Sequence, residues 1–126
     1  MTIPSIGLVL DCTDPARLAE FWAPALDYVS LGEVGAYAVL VPNGQPGPKL
    51  LLQQVPEAKA VKNRMHLDIE TRDIEAEAAR LEGLGATRAQ PDQVHEHGTN
   101  WVLMADPEGN EFCVCDSGAS GDAEPT

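Results

Sequence analysis

Two stretches decide the fold: Ile6-Gly7-Leu8-Val9-Leu10-Asp11 and Met65-His66-Leu67-Asp68-Ile69-Glu70. In the first, Ile6, Leu8 and Leu10 alternate with Gly7, Val9 and Asp11; in the second, Met65, Leu67 and Ile69 alternate with His66, Asp68 and Glu70. Period-2 alternation is the mark of a strand with two unlike faces. Placing Gly7 over His66, an offset of 59 residues, puts Asp14 over Asp73 and keeps the order of signals on either side. The chain therefore reads as a repeat.

Each strand leads into a helix. Asp14 is a good N-cap, and Pro15 fits the first helical position, where a missing N–H costs nothing. Leu18, Phe21, Trp22 and Ala25 fall at i, i+3, i+4 and i+7, one helical face. Trp22 reads as core. Pro24 is expected to end or kink this helix. In the second copy, Asp73 caps a helix with Ile74, Ala78, Leu81 and Leu84 on its buried stripe, and Gly85 suits its end. Its acids Glu75, Glu77 and Glu82 read as a solvated face.

Three further strands follow each helix. They are expected near 28–33, 36–42 and 49–54, and near 87–91, 100–105 and 110–115. Asn43-Gly44-Gln45-Pro46-Gly47-Pro48 and Asp106-Pro107-Glu108-Gly109 are turn sequences. Each copy reads β-α-β-β-β. The expectation is an α+β fold: modules at 1–55 and 64–116, a linker at 56–63 carrying Lys59 and Lys62, and a disordered tail at 117–126. Together the modules would form one curved eight-stranded sheet with helices on the convex side and a concave cavity.

A chain of 126 residues with a net charge of −12 has room for one such domain. The acid excess makes nucleic acid a poor partner. No apolar run approaches the ~20 residues of a spanning helix, so no membrane partner is expected. The N-terminus lacks signal-peptide zones, and Cys12, Cys113 and Cys115 are an odd set, so a cytoplasmic protein without disulfides is expected. The charge is uneven: residues 1–55 carry 5 acids and 2 bases, residues 64–116 carry 12 acids and 4 bases. That field favours a neutral or cationic partner.

The paired modules, Leu8-Val9-Leu10-Asp11 with Asp14-Pro15 and Phe21-Trp22, His66-Leu67-Asp68 with Gly85-Ala86, and Asp106-Pro107-Glu108-Gly109-Asn110-Glu111-Phe112 together resemble the vicinal oxygen chelate superfamily. It includes glyoxalase I, extradiol dioxygenases, fosfomycin resistance enzymes and bleomycin resistance proteins. Val61-Lys62-Asn63-Arg64-Met65-His66-Leu67-Asp68 most resembles its actinobacterial glyoxalase-like domain group. The resemblance covers residues 3–116. It implies a homodimer, and in metal-dependent members four ligands from the first and last strands of each module. Carried over, these positions are Gly7, Leu51 (or Gln53 in a shifted register), His66 and Cys113. Only His66 is an unambiguous ligand type, so no metal cofactor is expected. A divalent metal held through His66 and Cys113 is the alternative.

Alternation aims Asp11, Gln53, His66, Asp68 and Glu70 away from the helices. His66 and Asp68 are neighbours on one strand face. They read either as an acid–base pair in a cavity or as a satisfied structural pair. Trp101 and Tyr37 read either as stacking surfaces for an aromatic ligand or as packing. His95-Glu96-His97 reads as a solvated loop that could cover the cavity mouth. The expectation is a metal-free binder of a small cationic or aromatic molecule, of the bleomycin-resistance type, with Asp11, Gln53, His66, Trp101 and Cys113 at the ligand. The alternative is an enzyme of lyase, isomerase or dioxygenase type. It would be metal-dependent through His66, or metal-free with His66 and Asp68 as catalytic pair.

Overall fold

The computed structural model describes residues 6–63, 65–96 and 98–116. The tail expected at 117–126 lies outside them. The chain divides into two compact units between Lys59 and Ala60, inside the segment read as a linker. The first holds β1 (Leu8–Cys12), α1 (Pro15–Leu26), β2 (Tyr28–Val34), β3 (Tyr37–Pro42) and β4 (Leu50–Gln54). The second holds β5 (Asp68–Thr71), α2 (Ile74–Leu84), β6 (Thr87–Arg88), β7 (Val94–Glu96), β8 (Thr99–Ala105) and β9 (Glu111–Asp116). The architecture is a mixed α+β plan of two modules, βαβββ in the first and the same order in the second with one strand divided into β6 and β7. Among the described residues the strands hydrogen-bond as two sheets, of four and five strands, rather than as one of eight.

In the first sheet the order is β1-β4-β3-β2, with β1 and β4 parallel. Leu10 and Cys12 face α1 beside Leu50 and Leu52, while Val9 and Asp11 stay exposed. The side chain of Asp14 accepts from the Arg17 N–H at 3.2 Å, which satisfies one of the unpaired amides of the first turn. Leu18, Phe21, Trp22 and Ala25 are all buried, as the helical spacing requires. The helix runs past Pro24 to Leu26 instead of ending there. Pro24 sits in the last turn, so only the Glu20 carbonyl loses an intrahelical donor, and Glu20 is exposed to water.

The second sheet has the order β5-β9-β8-β6, with β7 also on β8. β6 and β7 pair with opposite ends of β8, through Ala105–Met104 and Trp101–Thr99. They replace the single strand expected at 87–91. Pro91 lies between them and offers no N–H to a ladder. Asp73 caps α2 through the Ala76 N–H at 3.1 Å. Gly85, at φ 123, ends it and donates back to the last turn, a conformation costly to a residue with a Cβ. Ile74, Ala78 and Leu81 pack on the face made by Val102, Met104, Phe112 and Val114, all buried. Each large side chain there contributes about 2 kcal/mol of burial. Glu75 and Glu82 are not simply solvated: Arg88 reaches them at 2.7 and 3.6 Å, while Glu77 holds Arg80 at 2.6 Å. No helix among the described residues is long and apolar enough to cross a membrane.

Candidate functional site

The parallel pairing of β5 with β9 sets Asp68 opposite Cys113 and Glu70 opposite Cys115. On the other side of β9, Leu103 stands opposite Cys113 and Trp101 opposite Cys115. Alternate residues share a face. Since Phe112, Val114, Val102 and Met104 point at the helix, the intervening residues turn to the opposite face. There they floor a cleft of about 510 Å³ within the second unit. Lys62, Gln90 and Asp116 complete its walls.

His66 lies at one side of this cleft. The strand begins at Asp68 rather than at Met65, so His66 sits in the segment just before β5. The Cys113 N–H still bonds the Leu67 carbonyl at 2.9 Å, which holds that segment beside β9. His66 Nδ1 stands 3.3 Å from Asp68 Oδ1, with the two side chains 35% and 55% exposed. One ligand atom each from His66, Asp68 and Cys113 lies within 4.8 Å of the other two. The structure thus brings together His66, Asp68, Trp101 and Cys113 of the expected site. Asp11 and Gln53 are register partners of each other in the first sheet, and Tyr37 stands opposite Gln53 there.

Asp116 escapes a reading that ends the last strand at 115. It is fixed by Asn100, whose backbone N–H and side-chain Nδ2 both donate to Asp116 Oδ2, at 3.2 and 2.9 Å. The Asn100 side-chain oxygen in turn meets His95 Nδ1. The stretch read as a solvated loop is therefore partly strand β7, and His95 braces the hairpin. His97 lies outside the described residues. Cys115 was open to detection, because it lies two residues beyond Cys113 and so shares its strand face. Gln90 and Thr99 carry no local signal, since only the fold brings them to the cleft.

Both cleft thiols are poor nucleophiles at neutral pH. Burial first, then the charge of Asp68, pushes Cys113 up to about 11, with Lys62 partly opposing. Burial, then Asp68 and Glu70, does the same to Cys115. An acid whose pKa rises on folding holds more protons folded than unfolded between the two values. The stability this gives is intact below the ordinary thiol value of 9.0 and falls as pH climbs from there towards 11. Thermal melts at pH 8.5 and 10.5 should show a larger loss in the native protein than in a Cys113→Ser, Cys115→Ser variant. Equal losses would show that other groups carry the alkaline dependence.

A family model described as Glyoxalase-like domain matches residues 7–115. No curated protein matches in sequence. Among solved structures, a member of the glyoxalase/bleomycin resistance protein/dioxygenase superfamily from Sphaerobacter thermophilus is similar at a TM-score of 0.70 and 17% identity, covering 92% of this chain and 98% of its own. A glyoxalase-related enzyme from Fulvimarina pelagi gives 0.68 and 17%, covering 91% and 89%. The fosfomycin resistance protein FosX from Mesorhizobium loti gives 0.67 and 13%, covering 93% and 94%. At these identities the likeness is one of fold.

Proposed function

Since the chain belongs to the glyoxalase-like domain family, within the vicinal oxygen chelate superfamily, we propose that it binds a small organic cation in the cleft of its second module. The observation that carries this reading is the cleft and its lining. A volume of about 510 Å³ falls within the ~300–1,000 Å³ typical of small-molecule sites. Among the described residues that line it, the carboxylates of Asp68 and Glu70 stand against the ammonium of Lys62, while the Asp116 carboxylate is held by Asn100. Trp101 adds an aromatic surface, which attracts a desolvated cation by about 1–2 kcal/mol. The resistance protein among the similar structures is named for a small drug, fosfomycin, which is a precedent of kind only. By the same family resemblance the protein pairs with a second copy, a point for light scattering.

Calorimetric titration of metal-stripped protein with a panel of cationic aromatic compounds tests the reading. At least one should bind saturably at one per chain. Trp101→Ala should weaken that binding by roughly five- to thirtyfold. A panel in which only anions bind, or nothing does, sinks the proposal.

The 3.3 Å contact of His66 with Asp68 favours a second reading, in which this pair moves a proton on the bound molecule. A carboxylate on Nδ1 orients the ring and leaves Nε2 for the exchange. Screening for turnover of the bound compound decides it. His66→Ala should then abolish turnover, and a turnover it leaves unchanged would dismiss the pair.

A further inference from the structure

Strand pairing lays the lining of the second-module cleft out in two rows. Asp68, Cys113 and Leu103 lie side by side across β5, β9 and β8, and Glu70, Cys115 and Trp101 form the next row. In each row a small thiol stands between two larger side chains. Neighbouring strands are about 4.8 Å apart, so the two walls rise from backbones roughly 10 Å apart. The rows lie two residues apart on one face, about 6.5–7 Å along the strand. The lining is therefore a trough over β9, floored by Cys113 and Cys115, with room for a flat ring laid along it.

The two ends of this trough differ in charge. The Asn63 N–H donates to Glu111 Oε1 at 2.8 Å, which ties that segment to the start of β9, ahead of Cys113. Its neighbour Lys62 lines the cleft and is thereby anchored at the Cys113 end. The thiols register the difference. Burial and then Asp68 raise Cys113, and the Lys62 ammonium pulls it back. Burial raises Cys115 too, and there the carboxylates of Asp68, Glu70 and Asp116 add to it. Asp68 is engaged by His66 Nδ1 at 3.3 Å. One end therefore offers an ammonium, and the other offers Glu70 beside the indole of Trp101. A ligand with a single positive charge satisfies only the second end and meets Lys62 as a like charge.

We infer that the cleft is built for an amphoteric aromatic molecule lying along β9, with a protonated nitrogen between Glu70 and Trp101 and a carboxylate at Lys62, about 7 Å away. Glu70 and the face of Trp101 hold the nitrogen from two sides. Lys62 meets the carboxylate as a compact charge. Lys62 is then a specificity-determining residue, selecting ligands that carry both charges. The inference rests on the cation binding proposed above and adds to it a second charge, a spacing and an orientation.

Chemical-shift titration of isotope-labelled, metal-stripped full chain tests it with benzylamine, benzoate and para-(aminomethyl)benzoate, whose ring separates its two charges by a comparable distance. The amphoteric probe should bind about fivefold tighter than benzylamine, and benzoate should bind weakest. Lys62→Met should move the two amines in opposite directions. It should weaken para-(aminomethyl)benzoate about fivefold and tighten benzylamine, which loses a like charge. Glu70→Gln should weaken both amines. Lys62 and Glu70 are exposed, so neither change touches the core, and the amide spectra report that both variants fold. Benzylamine binding as tightly as the amphoteric probe, or Lys62→Met shifting both amines the same way, overturns the inference and leaves cation binding standing. Failure of all three probes also overturns it, and the wider cationic panel then decides the reading on which it rests.

Discussion

Replacing Asp106 with alanine should lower the stability of the second module by about 3–4 kcal/mol, the sum expected when several buried donors lose one acceptor. Asp106 is 3% exposed and Asn110 is 7% exposed. The Asp106 carboxylate accepts from the Glu108 N–H at 2.8 Å and the Asn110 N–H at 3.0 Å, and from Asn110 Nδ2 at 3.0 and 3.2 Å. Alanine would leave the buried Asn110 amide without these acceptors, and an unsatisfied buried polar group costs about 1–3 kcal/mol. Thermal unfolding should begin roughly 10–15 °C lower. A double variant, Asp106→Ala with Asn110→Leu, should lose less than Asp106→Ala alone, because it removes the orphaned amide as well. Equal losses in the two would show that backbone turn geometry, not the amide, carries the effect.

The other large effect is expected at Trp22. Its indole is 1% exposed and meets Phe21 edge-on, with ring centroids 5.0 Å apart at 82°. Trp22→Ala removes the largest buried side chain and an aromatic pair, and should cost about 3–5 kcal/mol in chemical denaturation. Trp22→Phe keeps much of the volume and should cost less than half as much. If alanine and phenylalanine cost the same, the indole's packing is not what stabilises α1.

These two residues mark what can be read from sequence and what cannot. Trp22 was legible because helical spacing is local: four apolar residues on one stripe, an aspartate before them and a proline at the first position. The caps Asp14 and Asp73 were legible for the same reason. The turn at Asp106 was legible as a turn, but not the bond its buried side chain makes with Asn110, because burial depends on what the fold packs around it. β7 was missed because three residues, two of them polar, show no period. Their strand character comes from pairing with Thr99, Asn100 and Trp101 across a hairpin. Arg88 illustrates the same limit, since its partner Glu75 lies on a helix thirteen residues earlier. Of the candidate site, alternation along one strand gave His66 and Asp68, and the family resemblance gave Cys113. Asp116 and Gln90 reach the cleft only through tertiary placement.

The parallel partnership of the first and last strand in each module has a consequence for how the protein is made. Parallel neighbours need a long crossover, so neither β1 nor β5 has its ladder partner when it leaves the ribosome. β1 waits only until Leu50–Gln54 has emerged, and the first sheet can then close while the rest is still being translated. β5 waits for Glu111–Asp116. Until then Asp68 has no Cys113 beside it and the cleft has no floor. A nascent chain halted before β9 would lack Cys113 and Cys115 and with them part of the lining of the cleft.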